Sequence, residues 1–90
     1  MHRYVIEREI PGIGKSNAQQ LQQAAAKSCE ALNKIGTDVQ WVESYVAADK
    51  TFCVYLATNE KAVRKHAELS GFPANIITEV RAMIDPTTAG

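Results

Sequence analysis

Apolar and polar residues alternate in four short stretches of the chain and recur at helical spacing in two longer ones. The alternating stretches are residues 3–10, the two halves of 39–57, and 76–84. Alternation with a period of two is typical of β-strands whose two faces have different surroundings. The pattern therefore predicts the order β-α-β-β-α-β, with a strand hairpin at 39–57.

The first helix is predicted to begin at Ser16, whose side chain and that of Gln19 have the spacing of a capping box. Gly36 is the expected stop, since glycine readily adopts the left-handed conformation that ends a helix. Between them, apolar or small residues recur every three or four positions and predict the buried side of the helix. This stripe consists of Leu21, Ala25, Ser28, Leu32 and Ile35.

The second helix is predicted over residues 60–70, between the N-cap candidates Thr58 and Asn59 and a stop at Gly71. The order of elements then predicts a ferredoxin-like α+β fold, in which an antiparallel sheet carries both helices on one face. Ninety residues make a single domain, because two would have cores too small to be stable. Residues 86–90 are expected to form a loose tail.

The two faces of the predicted hairpin differ in chemistry. Strict alternation places an aliphatic set on one face, which we expect to carry the helices: Val42, Val46, Phe52, Val54 and Leu56. The helix-free face then collects a polar and aromatic set: Glu7, Trp41, Glu43, Tyr45, Cys53, Tyr55, Glu79, Arg81 and Met83. Aromatic residues, Met and Arg are enriched in interfaces, so we expect a second copy of the chain to cover this face. Its carboxylates, thiol and phenols could also bind a metal or a small molecule, and a dimer can enclose such a site.

Charge and composition exclude several classes of function. Ten Lys and Arg residues balance ten Asp and Glu residues, so no net positive field attracts nucleic acid or an anionic membrane. No apolar run approaches the roughly 18 residues of a membrane span. The first ten residues carry charges and lack the apolar centre of a signal peptide. We therefore expect a cytoplasmic protein in which Cys29 and Cys53 stay reduced.

Few single residues suggest chemistry. His66, on the second helix, could bind nickel, copper or zinc, or act as a general base near neutral pH. An isolated histidine is more often structural, and His2 lies close to the terminus. No HExxH, CxxC or P-loop spacing is present. Any metal site must therefore be assembled from distant segments or shared between subunits.

Four stretches in combination resemble a family of small bacterial nickel-binding proteins. They are YVIEREIPG, KSCEAL, WVESYVAADKTFCVYLA and NEKAVRKHAELSGFPANIITEVRAMIDPTTA, which span nearly the whole chain. The resemblance implies a ferredoxin-like fold, a homodimer, and nickel bound at the dimer surface for storage or buffering. The helix histidine of the HAELSGFP stretch matches His66, which is the first candidate ligand. The remaining candidate ligands are Glu7, Glu43, Cys53 and Glu79.

Three functions are compatible with this sequence. The first is binding of nickel or another divalent metal. The second is a cofactor-free small-molecule enzyme, a monooxygenase or isomerase of the dimeric α+β-barrel type, in which Tyr45 and Tyr55 contact the small molecule. Its support is the fold and the mixed polar and aromatic face, and fold analogy is a weak argument for function. The third is an interaction module with no chemistry of its own.

Overall fold

A computed structural model describes all 90 residues. The elements in chain order are β1 (His2–Glu9), α1 (Ala18–Ile35), β2 (Val39–Val46), β3 (Lys50–Ala57), α2 (Glu60–Ser70) and β4 (Ile76–Val80). They form a four-stranded sheet in the order β2-β3-β1-β4, with every neighbouring pair antiparallel. The two helices pack on this sheet and contact each other. The predicted α+β ferredoxin-like fold is confirmed.

The core lies between the helices and the two central strands, β1 and β3. Its buried apolar residues are Tyr4, Ile6, Val39, Cys53, Tyr55, Ala57 and Val63. Tyr4 pairs with Tyr55 and Ile6 pairs with Cys53, so the two central strands contribute to one continuous layer. Neither helix combines the length and apolarity that crossing a bilayer requires.

The helix ends follow from local sequence, with one shift. The N-cap of α1 is Asn17, and its capping box is completed by Gln20, one residue later than predicted. The backbone N–H of Ser16 instead closes the preceding 3-10 turn, and Asn caps a helix as well as Ser does. The second helix has the predicted bounds, with Asn59 as its N-cap and Gly71, at φ +76°, as its stop.

A β-bulge in β2 reverses the alternation of side chains along that strand. Trp41 pairs with Tyr55, whereas Glu43 pairs with Val54, so Val42 is an extra residue with no partner of its own. Residues before and after a bulge follow opposite phases of the pleat. The predicted grouping of Trp41 with Glu43 on one face is therefore wrong.

The aliphatic residues of β3 do not face the helices, which corrects the predicted orientation of this strand, whereas Val46 of β2 lies on the helix side as predicted. The helix side of β3 consists of Thr51, Cys53, Tyr55 and Ala57, all of them buried. Phe52, Val54 and Leu56 alternate with them and lie on the helix-free face, where they are only partly buried. The reason is register: pairing with β1 places the alternate residues of β3 on the same side as Tyr4 and Ile6.

The last strand ends at Val80, although the alternation continues to residue 84. This strand lies at the edge of the sheet and pairs only with β1, whose Arg3 lies opposite Val80. Because β1 has almost no residues left beyond that point, the following segment has no strand to pair with. Met83 and Ile84 are consequently exposed. A 3-10 turn follows at Pro86–Ala89.

Candidate functional site

A cavity of about 210 Å³ lies between α1 and the helix side of the sheet. It exists because α1 presents small side chains to the sheet here, namely Ala24, Ala25 and Ser28. Most of its wall is apolar, and Trp41, the chain's single tryptophan, forms part of it. A largely apolar cavity with a few polar groups is the usual form of a small-molecule site.

The loop between β1 and α1 closes one end of the cavity. The backbone N–H of Gly14 donates a hydrogen bond of 2.9 Å to the carbonyl of Ala48 in the β2–β3 turn. A Cβ at position 14 would lie 2.6 Å from the carbonyl oxygen of Ala47, so only glycine permits this approach. The loop is thus fixed to the hairpin, and Ile13 is held against the cavity.

Four buried polar residues, Arg8, Ser28, Tyr55 and His66, form a cluster at the inner side of the cavity, which we call the buried polar cluster. The Oγ of Ser28 lies 3.4 Å from the Tyr55 hydroxyl and 3.1 Å from His66 Nε2. The rings of Tyr55 and His66 are in contact, with centroids 4.9 Å apart. Ser28 therefore connects a cavity-lining phenol to an imidazole that lies deeper in the protein.

Arg8 contributes the only positive charge of the cluster at neutral pH, and it is 2% exposed. Its Nη1 donates a hydrogen bond of 2.6 Å to the Pro73 carbonyl, and its guanidinium carbon lies 6.0 Å and 5.9 Å from the ring centroids of Tyr55 and Phe72. Its Nη2 is buried and has no hydrogen-bond partner in the chain. None of the four ion pairs includes Arg8, so no carboxylate of the chain neutralises this charge.

The environment keeps the other titratable members of the cluster neutral. Burial lowers the pKa of His66, and the nearby positive charge of Arg8 lowers this pKa further. Burial raises the pKa of Tyr55, although the Ser28 hydroxyl and Arg8 partly oppose this effect. The Nδ1 of His66 is, like the Nη2 of Arg8, buried without a partner.

The predicted metal ligands lie in three separate parts of the molecule. His66 and Cys53 are buried between the helices and the sheet. Glu7 and Glu43 lie on the helix-free face, and Glu79 lies on the edge strand β4. Nowhere in the chain do three His, Cys, Asp or Glu side chains come close enough to hold one metal ion. The predicted set is therefore not assembled within one copy.

The three glutamates have different neighbours. Glu7 lies 3.5 Å from the Lys50 ammonium, and Glu43 accepts a hydrogen bond from the Tyr45 hydroxyl. Glu79 lies 3.6 Å from Nδ1 of His2. That contact is the one approach of an imidazole to a carboxylate in the chain.

The predicted small-molecule residues are also separated. Tyr55 lines the cavity, whereas Tyr45 is 58% exposed and lies on the opposite face, beyond the bulge. Sequence reasoning overlooked Arg8, although its spacing from Tyr4 and Ile6 along β1 indicates the same buried side. The predicted position of Ser28 on the buried side of α1 is confirmed, but nothing in the sequence links this residue to His66.

Comparison with protein families gives a decisive match. The family model described as "Nickel responsive protein SCO4226-like" matches residues 4–80. The chain belongs to this family. The predicted resemblance to a small bacterial nickel-related family is thereby confirmed. No curated protein matches the sequence.

A solved structure of an SCO4226-like protein is similar to this chain. It is the crystal structure of SCO4226 from Streptomyces coelicolor A3(2), with a TM-score of 0.76 and 19% sequence identity. The likeness covers 91% of this chain and 99% of that chain. At this identity, the likeness shows that the two proteins share the ferredoxin-like fold.

Proposed function

We propose that this SCO4226-like protein binds nickel at a surface site and stores or buffers the metal in the cytoplasm. The observation that carries the proposal is the contact between His2 and Glu79 in a chain of a nickel responsive family. Imidazole nitrogen and carboxylate oxygen are both suitable ligands for nickel. Both side chains are substantially exposed, so a hydrated ion can reach them.

Carboxylates and an arginine both lie near this pair: Glu79 is also 4.0 Å from the Arg81 guanidinium, a contact that a bound metal ion would have to share or replace. Burial, Glu79 and Glu60 all raise the pKa of Tyr4, which means that both carboxylates act on one phenol at this end of the sheet. Two ligands do not complete a tetragonal nickel site, which takes roughly four in-plane donors. Water or a second copy of the chain would supply the others, in line with the separation of the ligands within one copy.

We also propose that the protein forms a homodimer through its helix-free face. Phe52, Val54 and Leu56 follow one another along that side of β3, and no helix covers them. Tyr45 and Ile76 extend the patch and are 58% and 50% exposed. A 90-residue chain gains stability by burying such a surface. The dimer would also bring Glu7 and Glu43 of two copies to the same interface.

Calorimetry with nickel on protein without a histidine tag tests the nickel proposal. We expect saturable binding at micromolar nickel, and at least tenfold weaker binding in Glu79→Gln and in His2→Ala. Glu68→Gln is the matched control, because it removes another exposed carboxylate that forms no ion pair. A wild-type protein without saturable binding would remove the proposal.

Variants at the two buried candidates, His66 and Cys53, decide between the surface pair and a metal site inside the protein. On the present proposal, folded His66→Gln and Cys53→Ala proteins bind nickel as the wild type does, since both side chains are buried away from His2. Loss of nickel binding in folded His66→Gln would instead assign the metal to His66. Glu7→Gln and Glu43→Gln test whether the dimer interface contributes ligands.

A second candidate function is recognition of a small organic molecule. The cavity favours it, since Tyr55, one of the two tyrosines predicted to contact such a molecule, lines its wall. This observation supports the small-molecule class of function over a module that only binds other proteins. We assign no catalytic residue to the cavity, so the monooxygenase or isomerase alternative stays a hypothesis.

A further inference from the structure

The cavity combines an apolar wall with one buried cation. Ile13, Leu21 and Trp41 belong to the apolar part of the wall. The indole N–H of Trp41 donates to Ser44 at 2.9 Å, so this ring has no polar atom left for a ligand. Arg8 belongs to the same wall, next to the Tyr55 ring.

The charge of Arg8 is not balanced by the protein. Burying an ion without a counter-ion is strongly unfavourable, so buried charges in proteins are normally paired. Here one guanidinium nitrogen is satisfied by Pro73, while Nη2 is buried with no partner in the chain. The hydroxyls of Ser28 and Tyr55, which also line the cavity, are two further possible donors beside this charge.

We propose that this cavity binds a small organic carboxylate with an apolar body, whose carboxylate pairs with Arg8. A planar guanidinium matches the two oxygens of a carboxylate and forms charge-assisted hydrogen bonds with them. The apolar body then replaces water along Leu21 and Trp41. An engineered apolar cavity of about 150 Å³ holds benzene. The roughly 210 Å³ available here therefore suits a ring or branched chain with one added carboxylate.

The apolar wall distinguishes this ligand from an inorganic anion. Phosphate or sulfate carries more charge and would give up its hydration to a surface with few donors, which is unfavourable. An organic monocarboxylate leaves only one end to be hydrogen-bonded and buries the remainder against hydrocarbon. The apolar wall of the cavity therefore favours an organic monocarboxylate over an inorganic anion.

Titration with three probes tests the proposal on the wild-type chain, in the presence of a chelator so that nickel plays no part. The probes are benzoate, its neutral analogue benzamide, and inorganic phosphate. Calorimetry measures affinity, and the fluorescence of Trp41, the single tryptophan, reports occupancy of the cavity. We expect saturable benzoate binding with a fluorescence change, at least tenfold weaker benzamide binding, and no competition by phosphate.

Two variants and a control test whether the ligand binds in the cavity. Arg8→Met removes the charge and should weaken benzoate binding at least tenfold. Ala25→Phe fills the cavity from α1 and should abolish binding while Arg8 is retained. Ala26→Phe makes the same change at the next residue, which is exposed, and should bind benzoate as the wild type does. Circular dichroism checks that each variant is folded.

Three results would overturn the proposal. They are absence of saturable benzoate binding to the wild type, equal affinity for benzamide, and unchanged binding in folded Ala25→Phe. The first two need no variant, so the test holds even if Arg8→Met does not fold. The carboxylate proposal does not depend on nickel binding. The result of the benzoate test therefore does not decide whether nickel binds, and the result of the nickel test does not decide whether benzoate binds.

Discussion

The two sides of β3 contrast in an unexpected way. The side that faces the helices carries a threonine, a cysteine and a tyrosine, and Arg8 and His66 lie close to it. The side without helices carries phenylalanine, valine and leucine. The more polar side is thus the buried one, whereas the more apolar side stays partly accessible in a single copy.

The contrast shows that the register of β3 with β1, and not the hydrophobicity of the side chains, determines which residues of β3 are buried. Most polar atoms on the buried side are satisfied by one another, as in the contacts of Ser28 with Tyr55 and His66. Two are not: Arg8 Nη2 and His66 Nδ1. Unsatisfied buried groups are rare and call for an explanation. On the apolar side, the feature that calls for an explanation is the exposed surface of the apolar side chains. A second copy of the chain would cover it.

The largest expected effect compares one isoleucine from each side. Ile6 is fully buried on the helix side, and Ile76 is half-exposed on the helix-free face. Ile6→Ala should lower the free energy of unfolding by about 2–5 kcal/mol, the range for truncating a buried isoleucine. Ile76→Ala should cost well under half as much when both are measured at a concentration low enough for the chain to be monomeric. Urea denaturation of both variants checks this, and equal losses would mean that the two faces are buried alike.

A charge on the helix-free face should break the proposed dimer. Val54→Lys places an ammonium at the centre of the apolar patch, and we expect dimer dissociation to become at least a hundredfold easier. Gln22→Lys, on the exposed side of α1, adds the same single positive charge and is the control. Sedimentation velocity over a range of concentrations measures both. A wild-type chain that is monomeric at high micromolar concentration would refute the dimer.

Removing the hydroxyl of Ser28 should weaken the buried side by a smaller amount. Ser28→Ala leaves His66 Nε2 and the Tyr55 hydroxyl without this partner, and a buried polar group left unpaired costs about 1–3 kcal/mol. Ser16→Ala is the control, because the Ser16 side chain forms no hydrogen bond. Thermal and urea unfolding should separate the two variants. Identical stabilities would show that the polar contacts contribute little.

The smallest effect is a dependence of stability on pH. The pKa of His66 is lowered in the folded protein, so between the folded pKa and the ordinary value of about 6.5 the unfolded chain binds more protons. The contribution of neutral His66 to the free energy of unfolding is fully present above about pH 7, and it is lost as the pH falls through the mildly acidic range. His66→Gln should show a flatter profile between pH 7.5 and 5.5 in urea titrations. A wild-type stability that rises on acidification would contradict the assignment.

Local signals in the sequence were sufficient to predict the six elements and the bounds of α2, but they misplaced the start of α1 and the end of β4. The glycine at position 71 ends α2, and Asn59 caps it, because both act through the adjacent backbone. The bulge at Val42 has no such signal, since no glycine or proline marks it and both phases of alternation look plausible. Because of this one inserted residue, Trp41 lies on the helix side while Glu43 and Tyr45 keep their predicted face. The wrong faces predicted for β3 have another cause, its register with β1.

The site was harder to predict than the fold because it depends on long-range placement. The cavity arises where Ala24, Ala25 and Ser28 lie over the sheet, and the sequence does not show which strand residues they meet. The partner of Glu79 is His2 only because of the β1–β4 register. The nickel relation came from family resemblance and not from a spacing motif, which the chain lacks.

The most direct test of the proposed nickel site is a titration of isotope-labelled, tag-free protein with nickel, followed through the backbone amide signals of all residues except the prolines. We expect that signals around His2 and Glu79 shift or broaden first and saturate, while those of Ser28, Tyr55 and His66 are unchanged. Selective loss of the signals around His66, with His2 and Glu79 unaffected, would contradict this proposal and place the metal inside the protein.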